Sequence, residues 1–192
     1  SKDGLHIRGD MTSAPAVLGG SFEANSEHGI YAETQDESGA WKLVRSILIA
    51  GVHFENNSLW DIRLGTDGKN WVYGGAIVGC LMKSDNMLNL EKCKGIVVHG
   101  NEFLGTGTKV SIGSASENIR FIANDGLTVL AYALNKNLTI EVGTGDAYGT
   151  ETIIQPTSLT GINRIRLSTS GTFATDETVT LKVTSVSYTH LT

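Results

Sequence analysis

Phe22-Glu23-Ala24-Asn25-Ser26, with Ile30 eight residues after the Phe, returns as Phe54-Glu55-Asn56-Asn57-Ser58 with Ile62. All five identities fall at one offset of 32 residues, which marks an internal repeat. A second comparison sets Ile47-Leu48-Ile49-Ala50-Gly51-Val52-His53-Phe54 beside Ile96-Val97-Val98-His99-Gly100-Asn101-Glu102-Phe103. The shared template is apolar-x-apolar-x-Gly-x-x-Phe, and each copy is followed by an apolar pair, Ile62/Leu64 or Val110/Ile112. Trp71-Val72-Tyr73-Gly74-Gly75-Ala76-Ile77-Val78 lies between them, and Ile119-Arg120-Phe121 opens a further turn. With Ile47, Trp71, Ile96 and Ile119 taken as equivalent, the steps are 24, 25 and 23 residues.

A unit of that length, made of two or three short alternating strands and Gly/Asn turns, cannot bury its apolar face alone; it must stack on copies of itself. Equivalent strands then lie about 4.8 Å apart in parallel register. On the spacing above, Ile49, Tyr73 and Val98 are expected to form one inward column and Phe54, Val78 and Phe103 another. Asn25 and Asn57 fall at one place in successive turns, where an amide ladder satisfies a bend that otherwise leaves backbone groups unpaired.

These turns resemble those of the pectin-lyase-like right-handed β-helix superfamily, bacteriophage tailspikes above all, over residues 1–126. The resemblance implies an all-β fold, a right-handed parallel β-helix of single-stranded solenoid type. It is specific for the fold and not for one activity, because the superfamily holds lyases, hydrolases, epimerases and adhesins. After Gly126 the template is lost. Leu138-Thr139-Ile140-Glu141-Val142, Ile162-Asn163-Arg164-Ile165-Arg166-Leu167 and Val179-Thr180-Leu181-Lys182-Val183 alternate like strands with one wet face, so residues 127–185 read as a small antiparallel, sandwich-like β domain. Tailspikes have a similar order, and there such a domain binds glycan or holds a trimer together. Residues 186–192 resemble one reading frame of a transposon adapter used for sequencing libraries; a non-native tail on a metagenomic fragment is expected.

Composition agrees with many short strands and tight turns: 40% of the 192 residues are hydrophobic, and 23 are Gly against 2 Pro. A net charge of −5 offers no cationic surface to a phosphate backbone or an anionic leaflet, so neither nucleic acid binding nor membrane insertion is expected. No apolar run approaches the ~18 residues needed to span a bilayer, and no signal peptide is visible. Cys80 and Cys93 are read as buried thiols, the alternative being one bridge between neighbouring turns.

No phosphate-cradling loop, zinc helix motif or nucleophile elbow is present, and neither metal nor cofactor is expected. The five histidines have no ligand spacing and read as surface or turn residues. Glu23 and Glu55 follow inward Phe22 and Phe54, so alternation turns both outward one turn apart. Their backbone separation of about 4.8 Å lies near the ~5 Å between the carboxyls of retaining glycosidases, and like charges that close favour a division between acid and nucleophile. Asp61 and Asp85 are further candidates for the wider inverting geometry. The longer first repeat places about 8 extra residues between Ile30 and Ile47. In that excursion Asp36, Glu37 and Trp41 are candidate substrate contacts, Trp41 either stacking on a sugar or folding down over the core. Trp60 is read as inward and Trp71 as core. No acid cluster suits the calcium-dependent lyases of the superfamily, and Lys83, Lys92 and Lys94 serve equally as solubilising charge.

Together these features point to a piece of a tailspike or tail-fibre-like protein on a virion tail, extracellular, binding host cell-surface polysaccharide and homotrimeric at full length. If it is an enzyme, Glu23, Glu55 and Asp61 suit a glycoside hydrolase better than a lyase. The alternatives are a non-catalytic structural or adhesive solenoid and a secreted bacterial polysaccharide lyase or hydrolase.

Overall fold

The computed structural model describes residues 2–8, 12–34, 43–66, 71–107, 110–113 and 115–126, and four short strands beyond them. The chain visits three parallel sheets in turn. The first circuit is β1 (Leu5–Arg8) in sheet A, β2 (Thr12–Ser13) and β3 (Ala16–Leu18) in sheet B and β4 (Ser21–Glu23) in sheet C. The second is β5 (His28–Glu33), β6 (Val44–Ala50) and β7 (His53–Glu55), the third β8 (Trp60–Leu64), β9 (Val72–Val78) and β10 (Leu81–Met82). The fourth is β11 (Leu88–Leu90), β12 (Cys93–His99) and β13 (Glu102–Phe103). A fifth has β14 (Val110–Ile112) and β15 (Arg120–Ile122), with Asp125 bridged to Glu102 in the place of a third strand. This is a parallel β-solenoid.

Like positions meet like across the turns. Ile30, Ile62, Leu88 and Val110 form one column in sheet A, and Ala32, Leu64, Leu90 and Ile112 the next, all fully buried. In sheet B the column is Ile49, Ile77, Val98 and Phe121; in sheet C it is Phe22, Phe54, Met82 and Phe103. The Phe22 and Phe54 rings stack at 5.8 Å between centroids. Each large apolar side chain so buried contributes roughly 1.5–3 kcal/mol, and the columns fuse into a single core.

The expected columns need one correction. Ile49 and Val98 do share a column, but Ile77 lies between them and Tyr73 does not; likewise Met82, not Val78, joins Phe54 to Phe103. Tyr73 pairs with Arg45 and Lys94 and is 37% exposed, while Val78 pairs with Ala50 and His99. The equivalent of Ile47 and Ile96 is therefore Gly75, four residues after Trp71. Trp71 is only half-buried, its ring tilted against Tyr73. Trp60, expected inward, is also half-buried.

Turns repeat as faithfully as strands. Gly19, Gly51, Gly79, Gly100 and Ala123 all take positive φ, between 49° and 67°, where the chain leaves sheet B for sheet C. The Gly of the template is thus the residue that tolerates the left-handed corner. Just after it, Asn101 Oδ1 accepts the Cys80 N–H at 2.9 Å and Asn124 Oδ1 accepts the Asn101 N–H at 3.0 Å. Between sheets C and A, Asn57 Oδ1 accepts from the Asn25 amide at 2.8 Å, the ladder the repeat implied.

Beyond Gly126 the expected antiparallel unit over 127–185 is not seen among the described residues. Instead β16 (Thr128–Ala131) and β18 (Thr152–Ile154) extend sheet A, and β17 (Thr139–Glu141) and β19 (Arg164–Arg166) extend sheet B, every pairing parallel. Alternation of apolar and polar residues follows from the period of two along any strand and does not by itself distinguish antiparallel from parallel pairing. The third expected strand, at 179–183, and the tail at 186–192 lie outside the described residues.

Candidate functional site

Sheet C is built from three-residue units whose middle side chain points inward. Ser21-Phe22-Glu23, His53-Phe54-Glu55, Leu81-Met82-Lys83 and Glu102-Phe103-Leu104 each read out, in, out. Two columns therefore face solvent side by side: Ser21, His53, Leu81 and Glu102 in one, and Glu23, Glu55 and Lys83 in the other.

Glu23 and Glu55 are register partners, as the repeat implied, with side chains 53% and 37% exposed. His53 lies between them: Nδ1 is 3.6 Å from Glu23 Oε1 and Nε2 is 3.4 Å from Glu55 Oε2. On the far side of Glu55 the Lys83 ammonium stands 3.6 Å from Oε2, and the Ser21 hydroxyl donates to Glu23 Oε1. When His53 is protonated, two cations offset the repulsion of two carboxylates. The cluster presents acceptors and donors within reach of solvent, the groups that polyhydroxylated ligands require.

Asp61 is elsewhere. Strand β8 begins at a corner where alternation breaks, so that Asp61 and Ile62 are both buried, and no solvent reaches Asp61. Its Oδ1 accepts from Asn57 Nδ2 at 2.7 Å and from the Ser84 hydroxyl at 2.5 Å; Oδ2 accepts the Ser84 N–H at 3.3 Å. Burial holds this carboxyl above the usual range, and the bonds from Asn57 and Ser84 oppose the shift. The structure thus brings Glu23 and Glu55 together and keeps Asp61 apart from their surface, as the anchor of the corner.

That corner floors a shallow, polar depression of about 280 Å³ lined by Asn56, Asn57, Ser58, Lys83, Ser84, Asp85 and Asn86. Lys83 joins it to the glutamate pair, and Asp85, on its rim, accepts a long bond from the Thr106 hydroxyl at 3.4 Å. The other expected contacts, Asp36, Glu37 and Trp41, lie outside the described residues. Reading the histidines as surface or turn residues overlooked His53, although it precedes Glu55 by two and alternation alone puts both on one face. It also misplaced His28, which is buried with Nδ1 2.8 Å from Asp3. Asp3, Glu27 and His28 bring three potential ligand atoms within 4.8 Å of one another; Glu27 is also paired with Lys2 at 3.3 Å. Both cysteines are free and buried, as expected.

No family model, curated protein or solved structure matches this chain.

Proposed function

We propose that this chain is a segment of a tailspike-like β-helix that recognises cell-surface polysaccharide through the outer face of sheet C, and that Glu23 and Glu55 are the carboxylates by which it would cleave a glycosidic bond. The observation that carries the reading is the in-register glutamate pair on a solvent-facing sheet, with His53 between the two side chains and Lys83 beside Glu55. Neighbouring strands stand about 4.8 Å apart, near the carboxyl spacing of double-displacement glycoside hydrolysis. In that scheme one glutamic acid protonates the leaving oxygen while the other carboxylate attacks the anomeric carbon; water then releases the sugar. The right-handed sense of coiling belongs to the same reading, following the hand preferred by parallel strand connections. So do a place on a virion tail and a homotrimeric full-length protein.

A non-catalytic adhesive surface is the second reading. It is favoured by Glu55 being engaged by both His53 and Lys83 within 3.6 Å, which suits a binding carboxylate better than a nucleophile. Incubating the purified protein with bacterial capsule or O-antigen preparations separates the two. Shortened chains that persist with the parent and disappear with Glu55→Gln support cleavage. Binding without shortening supports adhesion, and neither binding nor shortening on any preparation refutes the proposal.

A further inference from the structure

We infer that Asp3, Glu27 and His28 form a binding site for a divalent transition-metal ion of the zinc class, which clamps the first circuit of the solenoid to the second. The inference stands apart from the glycan reading and uses none of the sheet C surface.

The backbone brings the three residues together. The Glu27 N–H donates to the Lys2 carbonyl at 2.7 Å and the Gly4 N–H to the His28 carbonyl at 2.9 Å, so two bonds bracket Asp3 and set it across from Glu27 and His28. Its carboxylate is oriented from both sides. Oδ1 accepts the His28 backbone N–H at 3.1 Å, and His6 Nδ1 stands 3.5 Å from Oδ2. His28 Nδ1 lies 2.8 Å from Oδ1. The His28 side chain is only 3% exposed, and its Nε2 is buried with no hydrogen-bond partner among the described residues. A ring with two polar nitrogens thus uses half of its bonding capacity there.

One potential ligand atom from each residue lies within 4.8 Å of the other two. A tetrahedral ion with arms of about 2.0–2.1 Å holds its ligands about 3.3 Å apart, so side-chain adjustments of no more than about 1.5 Å close the site. One imidazole with two carboxylates suits zinc, cobalt or nickel. Calcium asks for about six to eight oxygen ligands, more than these side chains supply. Glu27 gives the ion its way in: its side chain is 35% exposed, and the Lys2 ammonium that stands 3.3 Å from it is 81% exposed. A pair so exposed is weak, and a dication takes the place of Lys2 beside the two carboxylates. Among the described residues β1 pairs only with β5. An ion held by Asp3 before β1 and by Glu27 and His28 at the start of β5 fastens that outermost strand through side chains as well as backbone.

Titration calorimetry of the tag-free protein with zinc chloride, and visible absorption on adding cobalt(II), test the inference. Glu27→Gln and Lys2→Ala are compared with His99→Ala, an exposed histidine of sheet B, after circular dichroism has established that each is folded. One equivalent of zinc is expected to bind. Affinity should fall about tenfold or more in Glu27→Gln, since loss of an outer-shell partner alone costs roughly 10–100-fold; it should rise in Lys2→Ala and stay unchanged in His99→Ala. Bound zinc should also shift the His28 imidazole NMR resonances and slow amide hydrogen exchange in β1. No zinc binding, calcium binding as tight as zinc, or His28 resonances unmoved by zinc overturns the inference. So does a zinc affinity that is indifferent to Glu27, lowered by Lys2→Ala or dependent on His99.

Discussion

Replacing Asp61 by Ala separates a structural anchor from a catalytic acid. The substitution strands three buried donors at once: an Asn57 side-chain N–H, the Ser84 hydroxyl and the Ser84 backbone N–H. Each orphaned donor costs about 1–3 kcal/mol, and water entering from the adjoining depression recovers part of that. The expected net loss is about 3–4 kcal/mol, a large share of the roughly 5–15 kcal/mol that holds a domain together. Asp61→Asn retains one acceptor but turns an N–H₂ toward the Ser84 N–H, for a smaller loss of about 1–2 kcal/mol. Urea unfolding followed by circular dichroism measures both. A loss below about 1 kcal/mol for Asp61→Ala would contradict the anchoring role. The same carboxyl sets a pH dependence. Because burial raises its native pKa above the ordinary ~3.9, the folded chain binds the proton more readily than the unfolded one. Its contribution to stability therefore grows as pH falls through the raised native value, and levels off below about 4. Asp61→Asn should abolish that increment, and a pH profile identical in parent and variant would rule the assignment out.

Phe54→Ala empties the middle of the sheet C column and should cost about 3–5 kcal/mol in guanidinium unfolding; a change within about 1 kcal/mol would mean that the column is not closely packed. Gly75 has a φ of 141°, and a Cβ there would stand 2.4 Å from the Ile47 carbonyl oxygen, so Gly75→Ala should destabilise by more than about 2 kcal/mol. Gly79→Ala, at the corner where Ala123 already takes φ 49° and the space is open, should cost only about 1 kcal/mol, and the reverse order would refute the register of β9. Burial raises both thiols, so Ellman's reagent should leave Cys80 and Cys93 untouched until denaturant is added; prompt reaction in buffer would show that one of them is accessible.

The 32-residue repeat was legible because every useful marker survived in both copies: Phe22 and Phe54 in the core, Asn25 and Asn57 in the bend, Glu23 and Glu55 outside. The third circuit was misread because its markers had changed. Gly75 stands where Ile is expected and Met82 where Phe is expected, while Trp71-Val72-Tyr73 imitates an inward alternation. Gly79, the one marker kept, would have restored the register. Asp61 and His28 escaped for another reason: alternation predicts a face only within a strand, and both residues sit where a corner becomes a strand and neighbours along the chain are buried together. Past Gly126 the residues two after Ile140 and Ile165, which continue the Phe121 column register, are Val142 and Leu167 and not glycine, and parallel pairing has no local signature without that marker.

The sheet C column joins Phe22, Phe54, Met82 and Phe103, whose separations along the chain are 32, 28 and 21 residues, yet they lie directly over one another. The slack is taken up between strands, where doubling an excursion's length costs only about 0.6 kcal/mol, less than the ~0.8 kcal/mol lost with a single buried methylene. Insertion and exchange of surface segments are thereby uncoupled from the fit of the interior. A lineage built on this plan can trade one exterior for another by recombination at the corners while the pillar beneath it stays the same.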